Sequence, residues 1–210
     1  MASKRGNRSG RGSFVANVLR RPQTISTNNA LLWGVAWLIL GTIACWHFWF
    51  LPISSFGYVA TGYTPLVWQL AFNLIVGFVS VVLFFSFGVM SNRRVGFVDI
   101  FGRMLFARWP ITLLILLGLI DGRLFSVLMR NPGAAYDINP MYTLLMALGA
   151  VVILLWSLYW GYLAYCRATQ RKGIVTLVVY VVAVVLSYLL SKVTMSAVYK
   201  NIGEVASLFN

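Results

Sequence analysis

Few side chains in this sequence have the type and spacing that chemistry requires. His47 is the single histidine, and it stands two positions after Cys45, a spacing at which both could bind one metal ion. A zinc site needs three or four ligands, and no further cluster of Cys, His or acidic residues lies nearby in the sequence. We therefore predict no metal site, and we interpret His47 as an ordinary residue at the end of an apolar segment.

Catalytic motifs are also missing. Ser, Thr and Cys residues occur, but no base stands in a motif that would activate one of them as a nucleophile. The sequence has no phosphate-binding loop, no GxSxG and no dinucleotide fingerprint. We predict that the chain is not an enzyme and binds no cofactor. The enzymatic alternative is an intramembrane lipid enzyme, which would need two titratable groups at one depth.

Asp121 is the sharpest candidate for a functional acid. An acidic side chain within a membrane segment is a functional hypothesis by default. Gly118 and Gly122 surround it with a GxxxG spacing, which would let another helix approach closely. The alternative, which the short apolar run before Asp121 favours, is that this residue only begins an outer loop with Arg123 as a solvated neighbour.

Ser91–Pro110, SNRRVGFVDIFGRMLFARWP, is the strongest candidate for anion binding. It carries four arginines and one acid: Arg93, Arg94, Arg103, Arg108 and Asp99. Asp99 and Arg103 are four positions apart, which places them together on one face of a helix. We predict a helix that lies at the inner membrane interface and docks on anionic headgroups or a partner. The alternative is a solvated loop whose arginines only orient the chain.

Composition sets the class of protein to which these residues belong. Of the 210 residues, 60% are hydrophobic and 10% are charged, and several uncharged runs are long enough to cross a bilayer. The net charge of +13 lies in a tail and in short loops between apolar runs, so we predict no nucleic-acid binding. Cys45 and Cys166 fall near opposite ends of apolar segments, and we expect buried thiols without a disulfide.

The apolar runs predict an all-α, polytopic membrane protein with about five spans. A basic arm with a short amphipathic helix, residues 1–29, precedes a transmembrane domain of residues 30–199, and an outer tail follows at 200–210. The predicted spans are 30–51, 65–90, 104–128, 141–166 and 174–191. The third span is the hardest to place: it is either Met104–Ile120, with Arg108 reaching toward the inner surface, or Trp109–Met129, with Asp121 at some depth.

The distribution of positive charge predicts the orientation. We place the basic arm, Ser91–Pro110 and Arg167–Gly173 on the cytoplasmic side, which puts 13 of the 17 Lys and Arg residues there. Five spans then leave the N-terminus inside and the C-terminus outside. Arg20 and Arg21 end the amphipathic helix of the arm, and we count them with the loop arginines as candidates for contact with anionic headgroups or a partner.

Two segments resemble a known family. FVANVLRRPQT, which begins at Phe14, resembles the opening of Yip1-domain membrane proteins, and GFVDIFGRMLFARWP, which begins at Gly96, resembles the segment before the third span of that family. The resemblance covers Phe14–Ser191 and includes the five spans and their orientation. It implies a compact member of the bacterial kind in the cytoplasmic (inner) membrane, a group mostly without an assigned activity.

The leading functional hypothesis is a non-catalytic, Yip1-like protein that binds membrane-protein partners or organises lipid, with a homo-oligomer as one possible assembly. The alternative is a small transporter or channel component. A transport pathway needs inward polar groups, and the spans offer few of them: Gln69, Asn73, Thr112 and Asp121.

Overall fold

The computed structural model of the chain describes residues 25–48, 50–54, 57–60, 64–116, 125, 127–128 and 131–207. Within these residues the chain is helical apart from one two-stranded hairpin. The elements are α1 (Thr27–Phe48), β1 (Phe50–Ser54), β2 (Gly57–Ala60), α2 (Leu66–Ser91), α3 (Phe97–Ala107), α4 (Trp109–Leu116), α5 (Pro132–Ile138), α6 (Pro140–Thr169) and α7 (Ile174–Ser207).

Four of these helices are long and apolar enough to cross a membrane: α1, α2, α6 and the part of α7 from Ile174 to Tyr199. They match the predicted spans 30–51, 65–90, 141–166 and 174–191 to within a few residues, except that α7 is longer than its span. This confirms a mainly helical chain with four helices that are long and apolar enough to cross a membrane. Helix α7 continues without a break past the end of the predicted span to Ser207.

The connection between α1 and α2 is a hairpin, where the sequence predicts an outer loop over Pro52–Thr64. Strands β1 and β2 pair antiparallel, with Phe50 opposite Ala60 and Pro52 opposite Tyr58. Aromatic and β-branched residues favour extended backbone here. The buried Gln69 side chain fixes the hairpin to α2, since its Nε2 donates to the Phe50 carbonyl oxygen over 2.7 Å.

The first part of the predicted third span lies in helices α3 and α4. The helical segment begins at Phe97, earlier than the predicted start at residue 104, and Arg108 separates its two parts. Pro110 stands in the first turn of α4, where a missing backbone N–H costs no helical hydrogen bond. Residues 117–124 and 126 of the predicted span lie outside the described residues.

Helix α3 is largely buried inside the helix bundle. Its residues from Gly102 to Ala107 are all buried, and so is Ile100. The burial arises because α1, α2 and α6 pack around it on several sides. The helix predicted at the inner membrane interface is therefore enclosed by other helices from Gly102 to Ala107.

Helices α3 and α4 run parallel to α1 along most of its length. Close approaches repeat with a constant offset of 71 positions between Leu31 and Gly102, Gly34 and Leu105, and Gly41 and Thr112. Further along, Ile115 joins Ala44 and Cys45 in one apolar cluster. The constant offset means that α1 and the segment formed by α3 and α4 run side by side in a fixed register.

Helix α7 packs antiparallel against α2. The Tyr180 ring stacks on Phe84 with centroids 5.7 Å apart, the Ser187 hydroxyl donates to that of Ser80 over 2.7 Å, and Met195 packs on Phe72. Tyr180 also donates from its hydroxyl to the Leu158 carbonyl oxygen of α6 over 3.0 Å. These contacts join α2, α6 and α7 into one layer.

The sequence predicts an outer loop over Asn131–Pro140, whereas the structure has the short helix α5 there. Two asparagines act as N-caps. The Asn131 side chain accepts from the Ala134 amide at 3.3 Å, and that of Asn139 accepts from the Tyr142 amide at 3.0 Å. Each is followed by a proline at the first helical position, so the two Asn-Pro turn signals begin α5 and α6.

Candidate functional site: the basic end of the helix bundle

Two basic loops meet at one end of the bundle. The loop after α2 and the loop after α6 are joined by a hydrogen bond in which Asn92 Nδ2 donates to the Thr169 carbonyl oxygen over 3.0 Å. A Cβ placed on Gly88 would meet the Thr169 methyl group at 3.6 Å, so the last turns of α2 and α6 are in contact. Segments far apart in sequence therefore present their charges side by side.

Five exposed cations lie on these loops and on the last turn of α6, and we call this set the basic end: Arg93, Arg94, Arg167, Arg171 and Lys172. The Asn92 side chain shapes the first loop by accepting from the Arg94 amide at 3.1 Å. Gln170 ends α6 in the left-handed conformation, and Gly173, at φ 109°, completes the second turn before α7.

The basic end is concave on the α6 side. An open cavity of about 510 Å³ is lined by Cys166, Arg167, Gln170 and Lys172. Among the residues that the structure describes, the single ion pair joins Arg103 to Asp99, so none of the five cations has an ionic partner there. A cluster of unpaired cations at the end of a membrane bundle attracts anionic headgroups, with each cation contributing about 1 kcal/mol near the surface.

Arg103 serves a different purpose from the exposed arginines. Its Nε donates to Asp99 Oδ1 over 2.8 Å, which confirms the predicted pair four positions apart. Its Nη1 donates to the Ile25 carbonyl oxygen over 2.9 Å, and the Thr27 hydroxyl donates to the same Asp99 oxygen. Arg103 is 6% exposed and ties α3 to the start of α1, so the prediction that it faces lipid or a partner is wrong.

Arg108 is also buried, with 8% of its surface exposed, and it too does not face lipid. It stands at the break between α3 and α4 and lines a cavity of about 10 Å³ together with Tyr58, Asn73 and Thr112. The Tyr58 hydroxyl lies beside Arg108 and Thr112, and desolvation raises its pKa above the ordinary value. The phenol therefore stays protonated at neutral pH and can donate a hydrogen bond.

The sequence-predicted polar residues of the spans are buried where they are described. Gln69, Asn73 and Thr112 are each at most 4% exposed. Asn73 donates from Nδ2 to the Gln69 carbonyl oxygen over 3.1 Å, one turn earlier in α2. Asn73 and Thr112 lie together beside Arg108, an association that the sequence did not indicate because α2 and α4 are separate elements.

Other candidates fall outside the described residues: Asp121, Gly118, Gly122, Arg20 and Arg21. Close helix contacts that the sequence analysis missed occur instead at Gly34 and Gly102, where α1 meets α3. Both are lone glycines in apolar helical segments, which is the signal that could have indicated them.

The metal candidates Cys45 and His47 differ in exposure. His47 is exposed at the end of α1, edge-on to Phe48 with ring centroids 4.8 Å apart. Cys45 and Cys166 are free and buried, as predicted. No group of three or more His, Cys, Asp or Glu side chains that could hold a metal ion occurs in the part of the chain that the structure describes.

Comparison with known proteins adds no identification. No family model, curated protein or solved structure matches this chain. The resemblance to Yip1-domain proteins therefore stays a prediction from the sequence.

Proposed function

We propose that this chain is a non-catalytic, five-span membrane protein that organises anionic lipid at its basic end. The observation that carries the proposal is the set of five exposed cations that two loops bring to one end of the bundle, without an ionic partner among the described residues. Such a surface attracts anionic headgroups through charge alone and needs no catalytic group. A Yip1-like family and a bacterial inner membrane are part of the same proposal.

The fifth span in this proposal is the pair α3 and α4. From Phe97 to Leu116 the pair covers 20 residues, or about 30 Å at about 1.5 Å per residue, which matches the apolar thickness of a bilayer. Its constant register with α1 supports a path through the same layer. With the basic end in the cytoplasm, five spans leave the C-terminus outside.

Reporter fusions test the topology. We expect fusions within the loops after α2 and α6 to report the cytoplasm, and a fusion after Asn210 to report the outer side. A cytoplasmic report at Asn210 would show an even number of crossings and would remove the pair α3 and α4 as a span.

Lipid selectivity tests the function. The protein is reconstituted in vesicles of phosphatidylcholine and phosphatidylglycerol. The measured quantity is the fraction of spin-labelled phosphatidylglycerol that the protein immobilises. We expect Arg93→Gln with Arg94→Gln to weaken that selectivity by roughly 2 kcal/mol in total, because each cation contributes about 1 kcal/mol. Lys192→Gln in α7, which removes an exposed cation away from the basic end, is the control. Equal selectivity in all three proteins would rule out lipid organisation by the basic end.

A small transporter or channel component is the second candidate function, favoured by the buried polar side chains around Arg108. Asp121 remains its best acidic residue from the sequence. If transport is the function, Asp121→Asn should change ion flux or assembly in proteoliposomes while the protein still inserts. Wild-type flux and assembly in that variant would remove Asp121 from any such pathway.

Binding to membrane-protein partners, including a second copy of this chain, is compatible with the exposed apolar faces of α6 and α7. Those faces are also suited to lipid. Cross-linking in native membranes, followed by identification of the attached proteins, separates the two kinds of contact.

A further inference from the structure

Helices α6 and α7 leave a groove between them on the surface of the bundle. Its volume is about 370 Å³, within the range of about 300 to 1,000 Å³ that small-molecule sites usually have. Leu158 and Tyr159 line the groove on α6, and Val181 and Val185 line it on α7. Tyr159, Val181 and Val185 are exposed, so the groove is open to the lipid around the protein.

The ring of Tyr180 forms the floor of the groove. It is buried, and its hydroxyl donates to the Leu158 carbonyl oxygen of α6 over 3.0 Å. Gly161 has no side chain, which leaves room for this hydroxyl beside the α6 backbone. The ring also stacks on Phe84 of α2 with centroids 5.7 Å apart. Because contacts with two neighbouring helices hold Tyr180, the groove has a fixed floor.

The groove leads to the cavity of the basic end along one face of α6. Four residues spaced four positions apart form a row along this helix and its end: Leu158, Tyr162, Cys166 and Gln170. The first two line the groove, and the last two line the cavity. The Tyr162 hydroxyl lies within hydrogen-bonding reach of the Cys166 thiol and of the Gly173 backbone. The apolar groove and the cationic cavity therefore form one continuous surface.

The two parts of this surface match the two parts of a phospholipid. Arg167 and Lys172 line the cavity as exposed cations, and none of the four described residues that line it carries a carboxylate. Along α7 the groove extends from Leu177 to Val185, or about 12 Å at about 1.5 Å per residue. One leaflet is about 15 Å deep, half the apolar thickness of a bilayer. An acyl chain in the groove would therefore place its headgroup at the cations.

We propose that this surface binds one molecule of an anionic glycerophospholipid, with its phosphate in the cavity and one acyl chain in the groove. The site rests on the proposed function, because the cavity belongs to the basic end, and it gives that function a single bound lipid. A second copy of this chain is a poorer match to the cations, because its 210 residues include only four acids against 17 Lys and Arg.

Native mass spectrometry of the full chain in mild detergent tests the site. Phosphatidylglycerol or phosphatidylcholine with the same acyl chains is added in steps, and the lipids retained by each protein molecule are counted. We expect one phosphatidylglycerol to bind with a lower Kd than any further lipid, and no such first step with phosphatidylcholine. Free glycerol phosphate should not displace the bound lipid, because that anion has no acyl chain to occupy the groove.

The cavity is tested by Lys172→Gln. Its control is Lys192→Gln, the same substitution at an exposed position of α7 that does not line the cavity. We expect Lys172→Gln to raise the Kd of the first phosphatidylglycerol about fivefold, the ratio that about 1 kcal/mol per cation gives. Lys192→Gln should leave this Kd unchanged.

The groove is tested by Val181→Trp, which fills it with a large side chain and leaves both cations in place. Val182→Trp, at the neighbouring exposed position outside the lining of the groove, is the control. We expect only Val181→Trp to lose the first phosphatidylglycerol step. A phosphatidylglycerol with a photoreactive group in one acyl chain should cross-link to the wild type between Leu177 and Val185, a measurement that needs no variant to fold.

Several outcomes would overturn the proposal. One is an equal Kd in Lys172→Gln and Lys192→Gln, or in Val181→Trp and Val182→Trp. Another is displacement by free glycerol phosphate. A third is the absence of photolabel from the groove, or a cross-link there to a second copy of the chain, which would make the groove an interface between copies.

Failure of this site can be distinguished from failure of the proposed function. Val181→Trp retains all five cations of the basic end, so its selectivity for spin-labelled phosphatidylglycerol should equal that of the wild type. If that selectivity depends on Arg93 and Arg94 but no single lipid is retained, the bound lipid is excluded and the proposed function stands. If the selectivity does not depend on them, the proposed function itself fails.

Discussion

Gly102 of α3 lies against the backbone of Leu31 in α1. A Cβ placed on Gly102 would come within 2.9 Å of the Leu31 nitrogen and 3.0 Å of its Cα atom. A neighbouring backbone cannot rotate away as the end of a side chain can. The pair therefore sets the distance between α1 and the buried helix at the centre of the bundle, as small residues do in membrane helix contacts.

Gly102→Ala should destabilise the protein. We expect a loss of about 2 kcal/mol, the usual cost of adding a methyl group to a packed interior, measured by unfolding in mixed detergent micelles. Gly133→Ala is the matched control, because its Cβ would meet only the Asn131 Oδ1 atom at an ordinary 3.5 Å. That control should be neutral or slightly stabilising. Equal stability of the two variants would contradict the close contact.

Gly161 and Tyr180 should be energetically coupled. A Cβ on Gly161 would overlap the hydroxyl group of Tyr180, which donates to the Leu158 carbonyl oxygen. We expect Gly161→Ala to cost about 2 kcal/mol in the wild type. In Tyr180→Phe, which lacks that oxygen, the same change should cost about 1 kcal/mol less. A double-mutant cycle measures this difference, and strictly additive effects would argue against the contact.

Arg103 should contribute to stability rather than to lipid binding. Arg103→Gln removes charge-assisted hydrogen bonds to Asp99 and to the Ile25 carbonyl oxygen. We expect it to lower the free energy of unfolding by about 2 kcal/mol without changing phosphatidylglycerol selectivity. Arg94→Gln, at an exposed position, should weaken phosphatidylglycerol selectivity. It should change the free energy of unfolding by no more than about 0.5 kcal/mol. Similar stabilities for the two variants would contradict the assignment of Arg103.

Asn139 should act as the N-cap of α6. Its side chain accepts from the Tyr142 amide at 3.0 Å, so Asn139→Ala should cost about 1 kcal/mol. Asn139→Asp keeps an acceptor at the same place and should retain most of the stability. Thermal unfolding of the three proteins provides the comparison, and a loss in Asn139→Asp equal to that in Asn139→Ala would exclude the cap.

The sequence by itself determined the four long helices and, except for the end of α7, their limits to within a few residues. Hydropathy depends on composition along the chain, so uncharged runs identified α1, α2, α6 and α7 without knowledge of their neighbours. The four-residue spacing of Asp99 and Arg103 also predicted their ion pair.

Only the tertiary structure decided what the arginines of Ser91–Pro110 do. Arg93 and Arg94 remain exposed, whereas Arg103 and Arg108 are buried, although all four belong to one basic stretch of sequence. The sequence records a charge, but burial depends on which other helices surround it. Helix α3 is enclosed because glycines of α1 and α3 let the backbones approach, a contact that joins residues 71 positions apart and leaves no periodic signal in either segment.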